Sequence, residues 1–429
     1  MKSIGLALFG LALMGFPQAR CANSWLTVSE DGHYFLRDGR PFFWLGDTAW
    51  SLVNKYTQSE TEFYMQRRRQ QGFNVLNVML IFNGGPGLKT ATADEQGELP
   101  FVDMNPATPN DKYFRNVDRL VALARRNNMI LAVLACGGSG GSFVKVQNTI
   151  TSGNARSYGS WLGRRYRNDP NIVWVDGFDL PPQEYGDVAR EFAAGVREGD
   201  AGSDLITYHP GGGYSSSYFQ NEPWLAFNTI QTWAHYTKIY PMVHADYLRV
   251  PPRPVVMAEG AYEEGPEYPT APITPLNVRQ QAYWSYLAGG FHTYGHNDMW
   301  RKNPSWRHSL DSAGALQMGI LKRVFVSRKW WRYAPYPSLI ASGAGSEERP
   351  NVAARSADGD GAIVYVSSPG TVAIDLSRVT NVASVRAKWV NTETGKESMI
   401  GVLPSHGIHE FPMPASRPDA VLLLDAVRP

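Results

Sequence analysis

Eight short apolar runs in the first two thirds of the chain constrain its fold more than any other feature. They lie at 42–46, 74–80, 130–136, 172–175, 205–208, 225–230, 255–258 and 291–294. Between most of them apolar residues recur at helix period: at 60–70, then Phe114, Val117, Leu120, Val121 and Ala124, then Val188, Phe192 and Val196, then 278–287. Short apolar runs followed by amphipathic stretches mean parallel strands, each covered by a helix, and eight such units predict a (β/α)8 TIM barrel. The fifth unit departs from the pattern, because HPGGGYSSSYFQNEPW after the fifth run has the Gly, Ser and aromatic composition of a loop. A doubly wound open sheet would carry a glycine-rich phosphate turn after its first strand. The first run here ends in GDTAW, which favours the barrel.

A long helix is expected over 310–330, and then the texture changes. RYAPYPSLIASGAG is rich in Pro and Gly, and beyond it AIVYVSS, TVAIDLS, VRAKWVN and AVLLLDA alternate with turn residues, the pattern of a small antiparallel β-sandwich. With 43% hydrophobic residues in 429, the chain can bury a core for both parts. The expected division is a barrel over 23–334 and a sandwich over 335–429. Residues 1–22 read as a signal peptide: Met1 and Lys2, an apolar run over 4–16, then small and polar residues. That run is short for a membrane span, and no second one follows, so the expectation is a secreted or periplasmic bacterial protein without a membrane span. Cys21 lies in the leader and leaves Cys136 alone in the mature chain, which excludes a disulfide framework and a cysteine metal site.

The formal charge of +2 comes from scattered residues and leaves no footprint for nucleic acid. Thirteen Trp and twenty-one Tyr suit a surface that stacks on sugars or other apolar faces. In a barrel of this class, function sits at the C-terminal ends of the strands. Those positions carry Asp47 with Trp50, Asn83, Cys136, Asp179, His209, Gln231 with His235, Glu259, and then His292, Tyr294, His296 and Asn297. Asp179 after the fourth run and Glu259 after the seventh come from separate parts of one mouth. Two such carboxyls are what glycoside hydrolysis requires, one to protonate the departing oxygen and one to attack or to activate water. The competing readings are a turn or helix cap for Asp179, Asp176 as the acid in its place, and Glu263, Glu264 or Glu267 in place of Glu259. Ordinary hydrogen bonding is the competing role for the histidines. A metal site of His209, His235 and His296 lacks HxH or HExxH spacing, so no metal and no cofactor is expected.

The segments FFWLGDTAW with RRRQQGFNVLNV, DKYFRNVDRLVALARRNNMILAV, PNIVWVDGFD, YHPGGGYSSSYF with WLAFNTIQT, PVVMAEGAYE and AYWSYLAGGFHTYGHNDMW together resemble the apiosidase-like glycoside hydrolases, family 140. The resemblance runs in order over about residues 25 to 330 and is looser beyond. It implies a TIM-barrel catalytic domain followed by a small β-sandwich labelled as collagen-binding, and a retaining hydrolase that removes apiose from pectic side chains. The family's acid/base aspartate closes a Trp-x-x-Gly-Gly-Asp pattern, which Trp174, Gly177 and Asp179 match. Phe178 replaces the second glycine and Asp176 stands where an aliphatic residue is usual, departures that bear on substrate identity. The nucleophile glutamate matches Glu259, with Tyr262 and Glu263 following. On this basis Asp179 and Glu259 are the expected catalytic pair. Asp47, Trp50, His209, Gln231, His235, Glu263, Tyr294 and His296 are the expected sugar-binding residues. An oligosaccharide or polysaccharide is the expected substrate. A carbohydrate-binding protein on a barrel without catalysis is the alternative, and an adhesion protein acting through the sandwich a third.

Overall fold

A computed structural model describes residues 24–81, 93–135, 149–265 and 272–428. The leader with Cys21, and Asn83, Cys136 and Glu267, lie outside the described residues. Eight strands form the central ring: β1 (Leu45–Thr48), β2 (Val75–Met79), β3 (Ile130–Leu134), β4 (Ile172–Leu180), β5 (Ile206–Pro210), β6 (Asn228–Gln231), β7 (Val255–Glu259) and β8 (Phe291–Tyr294). From β1 to β5 each strand pairs in parallel with the next, as do β6 with β7 and β7 with β8, and β8 pairs with β1. The seam between β5 and β6 closes through the bridge Ile206 to Leu225 and the bond from Thr207 Oγ1 to the Phe227 carbonyl at 2.7 Å. The ring is the expected (β/α)8 barrel.

The first strand begins later than the apolar run suggests. Phe42 belongs to a three-stranded antiparallel cap of Leu26–Val28, Phe35–Arg37 and Arg40–Phe42. Phe35 of the cap is fully buried, with its ring 5.2 Å from Trp44, 5.1 Å from Phe227 and 5.5 Å from Phe291. This aromatic plug fills the N-terminal end of the barrel, so the strand-end residues at the opposite end face the mouth.

Around the ring run α1 (Gln58–Gln71), α2 (Asp111–Arg126), α3 (Ala155–Tyr166), α4 (Pro182–Gly199), α5 (Ile239–Tyr247) and α6 (Pro275–Leu287), followed by the short α7 (Asn297–Arg301) and α8 (Trp306–Ser309) and then α9 (Ala313–Val326). Helix α1 starts at a capping box of Thr57 and Glu60 and stops at Gly72, whose φ of 99° is left-handed. The segment after β5 is a loop, as its composition predicts, with a two-residue strand Tyr214–Ser215 antiparallel to β6 and a short 3-10 turn.

The long helix expected over 310–330 is shorter, ending at Val326. A 3-10 turn at Trp330–Arg332 then leads into Tyr333–Pro335, the first strand of a six-stranded antiparallel sheet. The boundary expected at 335 therefore falls at the end of that strand. The six-stranded sheet packs with a three-stranded sheet of Ile340–Ser342, Thr371–Asp375 and Ile408–Pro412 around a core that includes Val364, Ile374, Val385, Phe411 and Leu422. This is the expected sandwich. Among the described residues no helix is long and apolar enough to cross a membrane.

Candidate active site

Three consecutive features of β4 place its second acid. Gly177 takes φ of 71°, and a Cβ there would stand 2.5 Å from the Tyr208 ring, so only glycine fits the turn. Asp179 follows with φ of 52°, a left-handed value rare outside glycine. The pairing of β4 with β5 then slips between Gly177 and Leu180. Such a bulge re-aims one side chain at the end of a strand. Here it turns the half-buried Asp179 toward the barrel axis. Asp176, before the bulge, is fully buried and accepts a bond from the Gly177 amide at 2.7 Å. Of the two strand-end acids, Asp179 is the one bonded to Gln231 on β6.

It meets Gln231, the last residue of β6, and Glu259, the last residue of β7. Gln231 Nε2 donates to Asp179 Oδ1 at 2.6 Å and to Glu259 Oε2 at 3.1 Å. His209 Nε2 on β5 stands 3.3 Å from Glu259 Oε2. One ligand-type atom each from Asp179, His209 and Glu259 lie within 4.8 Å of one another. The Tyr262 hydroxyl donates to Glu259 Oε1, and Trp50 Nε1 donates to that hydroxyl at 2.6 Å. The edge of the Trp50 ring meets His209, with centroids 5.6 Å apart. Gln281 of α6 pins the loop after Glu259, accepting from the Ala261 amide at 2.8 Å and donating to its carbonyl at 3.1 Å. Glu259 is thus held by donors on both oxygens and remains 7% exposed, open to the mouth.

Burial pushes the Asp179 carboxyl up to about 7, with the Glu259 charge adding to the rise and His209 and the Gln231 hydrogen bond opposing it. A carboxyl in this state keeps its proton near neutrality and can donate it to an oxygen, while a second carboxylate oxygen lies within 4.8 Å. The trio Asp179, His209 and Glu259 also has the composition of a cation site. The Gln231 amide nitrogen bonds to one oxygen of each of its two carboxylates.

The other expected sugar-binding residues go elsewhere. Asp47 and Arg68 form a fully buried ion pair, with Nε 2.9 Å from Oδ2, and the Tyr64 hydroxyl donates to the same oxygen. The Arg68 guanidinium lies 5.4 Å from the Tyr294 ring centroid. The Tyr294 hydroxyl donates to Glu263 Oε2 at 2.5 Å, Ser312 Oγ to the same oxygen at 3.0 Å and the Gly314 amide to Oε1 at 3.2 Å. Asp47, Tyr294 and Glu263 therefore tie β1, β8 and the start of α9 together. Their partners, Arg68 on α1 and Ser312 before α9, are distant in sequence, so composition at the strand ends gives no sign of them. His296 is buried and its Nδ1 accepts from the Asp298 amide at 3.1 Å, capping α7. His235 is exposed in the 3-10 turn Trp233–Lys238. Neither histidine is brought to Asp179 and Glu259, and His209, His235 and His296 do not form one ligand group. Trp50, His209 and Gln231 do join the acids. Tyr262 and Gln281 were not among the expected site residues. Tyr262 was findable, three residues after Glu259, whereas nothing in the sequence of α6 marks Gln281.

The family profile described as the apiosidase-like catalytic domain matches residues 29–332, and one described as a collagen-binding domain of a collagenase matches 334–425. Among solved structures, one titled as a glycoside hydrolase is 27% identical, with 94% of this chain and 97% of that chain covered and a TM-score of 0.84. A glycoside hydrolase family 5 protein from Bacteroides vulgatus ATCC 8482 is also 27% identical, with 95% of each chain covered and a TM-score of 0.84. A GH27 β-L-arabinopyranosidase from Geobacillus stearothermophilus, 11% identical with a TM-score of 0.54 over 90% of this chain and 97% of its own, shares the fold alone. No curated protein matches the chain.

Proposed function

Because this chain belongs to the apiosidase-like family of glycoside hydrolases, we propose that it is an exported, retaining enzyme that removes apiose from the side chains of pectin. The chain is a glycosidase by family and by the solved structures it is similar to. In the proposed reaction Asp179 is the acid/base and Glu259 the nucleophile. The observation that carries this reading is the separation of the two carboxyls, whose nearest oxygens lie within 4.8 Å and share one amide donor. Retaining enzymes hold the pair about 5–5.5 Å apart, and inverting enzymes about 6.5–9.5 Å apart to admit a water.

In the first step Asp179 gives its proton to the glycosidic oxygen as the bond from that oxygen to the anomeric carbon breaks. A Glu259 oxygen bonds to the anomeric carbon in its place. In the second step Asp179, now a carboxylate, takes a proton from water, and the resulting hydroxide bonds to the anomeric carbon and releases Glu259. Gln231 serves both steps, since one amide nitrogen holds the acid and the nucleophile in register. Tyr262 and His209 hold the other positions around Glu259. Export is supported by the leader-like residues 1–22. The apiose and pectin assignment is supported by the family match and by the residues Trp174, Gly177 and Asp179.

The test is Glu259→Gln assayed on 4-nitrophenyl β-apioside. Turnover should fall by about 10⁴-fold or more with the melting temperature retained. A variant that keeps its activity removes Glu259 from the mechanism.

A further inference from the structure

Two large aromatic side chains stand exposed beside the acid. Trp233 is 42% exposed and Tyr214 is 41% exposed, in a chain that buries most of its large rings. Their positions follow from the backbone. Tyr214 is paired with Gln231 across the antiparallel ribbon of Tyr214–Ser215 and β6. Directly opposed residues in such a pair share one face of the sheet. Gln231 faces the mouth, where it bonds to Asp179 and Glu259, so Tyr214 lies on the mouth side. The neighbouring pair, Ser215 and Ile230, faces the other way, and Ser215 Oγ accordingly bonds to Asp246 on α5. Trp233 is two residues past Gln231 and has φ of 46°, a left-handed conformation that a bulky residue rarely adopts.

Both residues also connect to Asp179. The glycine turn at 211–213 lies over the acid: the Gly211 amide donates to the Leu180 carbonyl at 3.0 Å, and a Cβ on Gly211 would stand 3.3 Å from the Asp179 carbonyl oxygen. The same turn ends at Tyr214, and a Cβ on Gly212 would be 3.8 Å from Trp233 Cβ. Asp179, the turn, Tyr214 and Trp233 therefore form one contiguous side of the mouth. A general acid protonates the oxygen that leaves, so the departing sugar lies on the acid's side of the scissile bond.

We infer that Tyr214 and Trp233 form the subsite for the leaving group, and that they select a pyranose ring there by stacking on its C–H face. The rings offer apolar area with little side-chain entropy to lose, which suits a sugar that must bind and depart in every cycle. The inference rests on the proposed function and deepens it by naming the side chains that would hold the sugar on the oxygen side of the bond.

The experiment compares two substrates in the full-length protein: an apiosyl-galacturonide, which has a sugar leaving group, and apiosyl fluoride, which has none. In Trp233→Ala and Tyr214→Ala the ratio of kcat/KM for the galacturonide to that for the fluoride should fall about tenfold each. Trp233→Phe, which keeps a ring, should recover most of that ratio. Both side chains are exposed, so the variants should melt with the wild type. Equal losses on both substrates, or an unchanged ratio, would overturn the subsite. Hydrolysis of neither compound by the wild-type protein would instead overturn the functional reading beneath it, and the subsite with it.

Discussion

At the scale of single residues, the chemistry depends on what the bulge does to Asp179. Asp176 and Asp179 stand three apart on one strand, yet the left-handed turns at Gly177 and Asp179 leave the first sealed and send the second to Gln231 and Glu259. Burial, with Glu259 nearby, pushes Asp179 up to about 7. In its proposed role as the acid it must be protonated, so kcat/KM should fall as pH rises through about 7, with one proton lost on that limb. The same shift predicts stability. Between the ordinary carboxyl value of 3.8 and about 7, the folded protein binds a proton at Asp179 that the unfolded chain does not. Stability therefore declines as pH rises through that window, and the ionised acid is a burden above it. Asp179→Asn keeps an oxygen for Gln231 and cannot ionise. It should melt about 2 °C or more above wild type at pH 8 and level with it at pH 3.5, while losing activity. Equal melting temperatures at pH 8 would show that the ionised acid carries no such cost. Asp179 and Glu259 were legible as strand-end acids because an apolar run precedes each. Asp47 and Glu263 were equally conspicuous, but a buried partner decides such a residue's role, and Arg68 and Ser312 are set against them only by the fold.

The elements show where sequence period fails. Helix α3 buries Ala155, Tyr158, Leu162 and Tyr166 on one face, and on the same face it carries Gly159 and Gly163, residues that ordinarily weaken a helix. The structure uses them as the contact. A Cβ on Gly159 would stand 2.5 Å from the Phe192 carbonyl oxygen, and one on Gly163 2.5 Å from that of Val196. Helix α4 answers with Gly195 and Gly199, whose added Cβ atoms would be 2.1 Å from the Arg156 carbonyl oxygen and 2.4 Å from that of Ser160. Two glycines four apart on each helix let the backbones touch beside these buried rings. Helices α2 and α4 were legible because large apolar residues such as Phe114, Val117, Leu120, Phe192 and Val196 mark their buried faces. Gly195→Ala adds a methyl against backbone that cannot rotate away. It should destabilise the protein by about 1–3 kcal/mol, read by chemical denaturation, although alanine is the better helix former. A stabilised variant would mean that the seam is looser than described.

Across the whole molecule, the sandwich is fastened to the barrel through α6, of which Val278–Leu287 are buried throughout. Arg279 on this helix reaches Asp419 in the sandwich at 2.7 and 3.1 Å, both side chains being essentially inaccessible. Tyr283 stacks on Tyr365 with centroids 4.4 Å apart, and Gln280 donates to the Ser367 carbonyl at 2.9 Å. Breaking a buried pair from one side strands the other charge, so Arg279→Ala should cost about 3–5 kcal/mol. Wild type should unfold in a single calorimetric transition, since neither part can keep α6 covered alone. Two separated transitions would show the domains to be independent. The same body holds the strand ends that bring Asp179 and Glu259 to one mouth, and the account stands on those two carboxyls sharing one glycosidic bond. The most direct measurement is intact mass spectrometry of the full-length protein after incubation with a slow fluorinated apioside, followed by peptide mapping. One sugar attached to Glu259 is the predicted result; a sugar attached to any other residue, or hydrolysis with inversion and no covalent adduct, would contradict it.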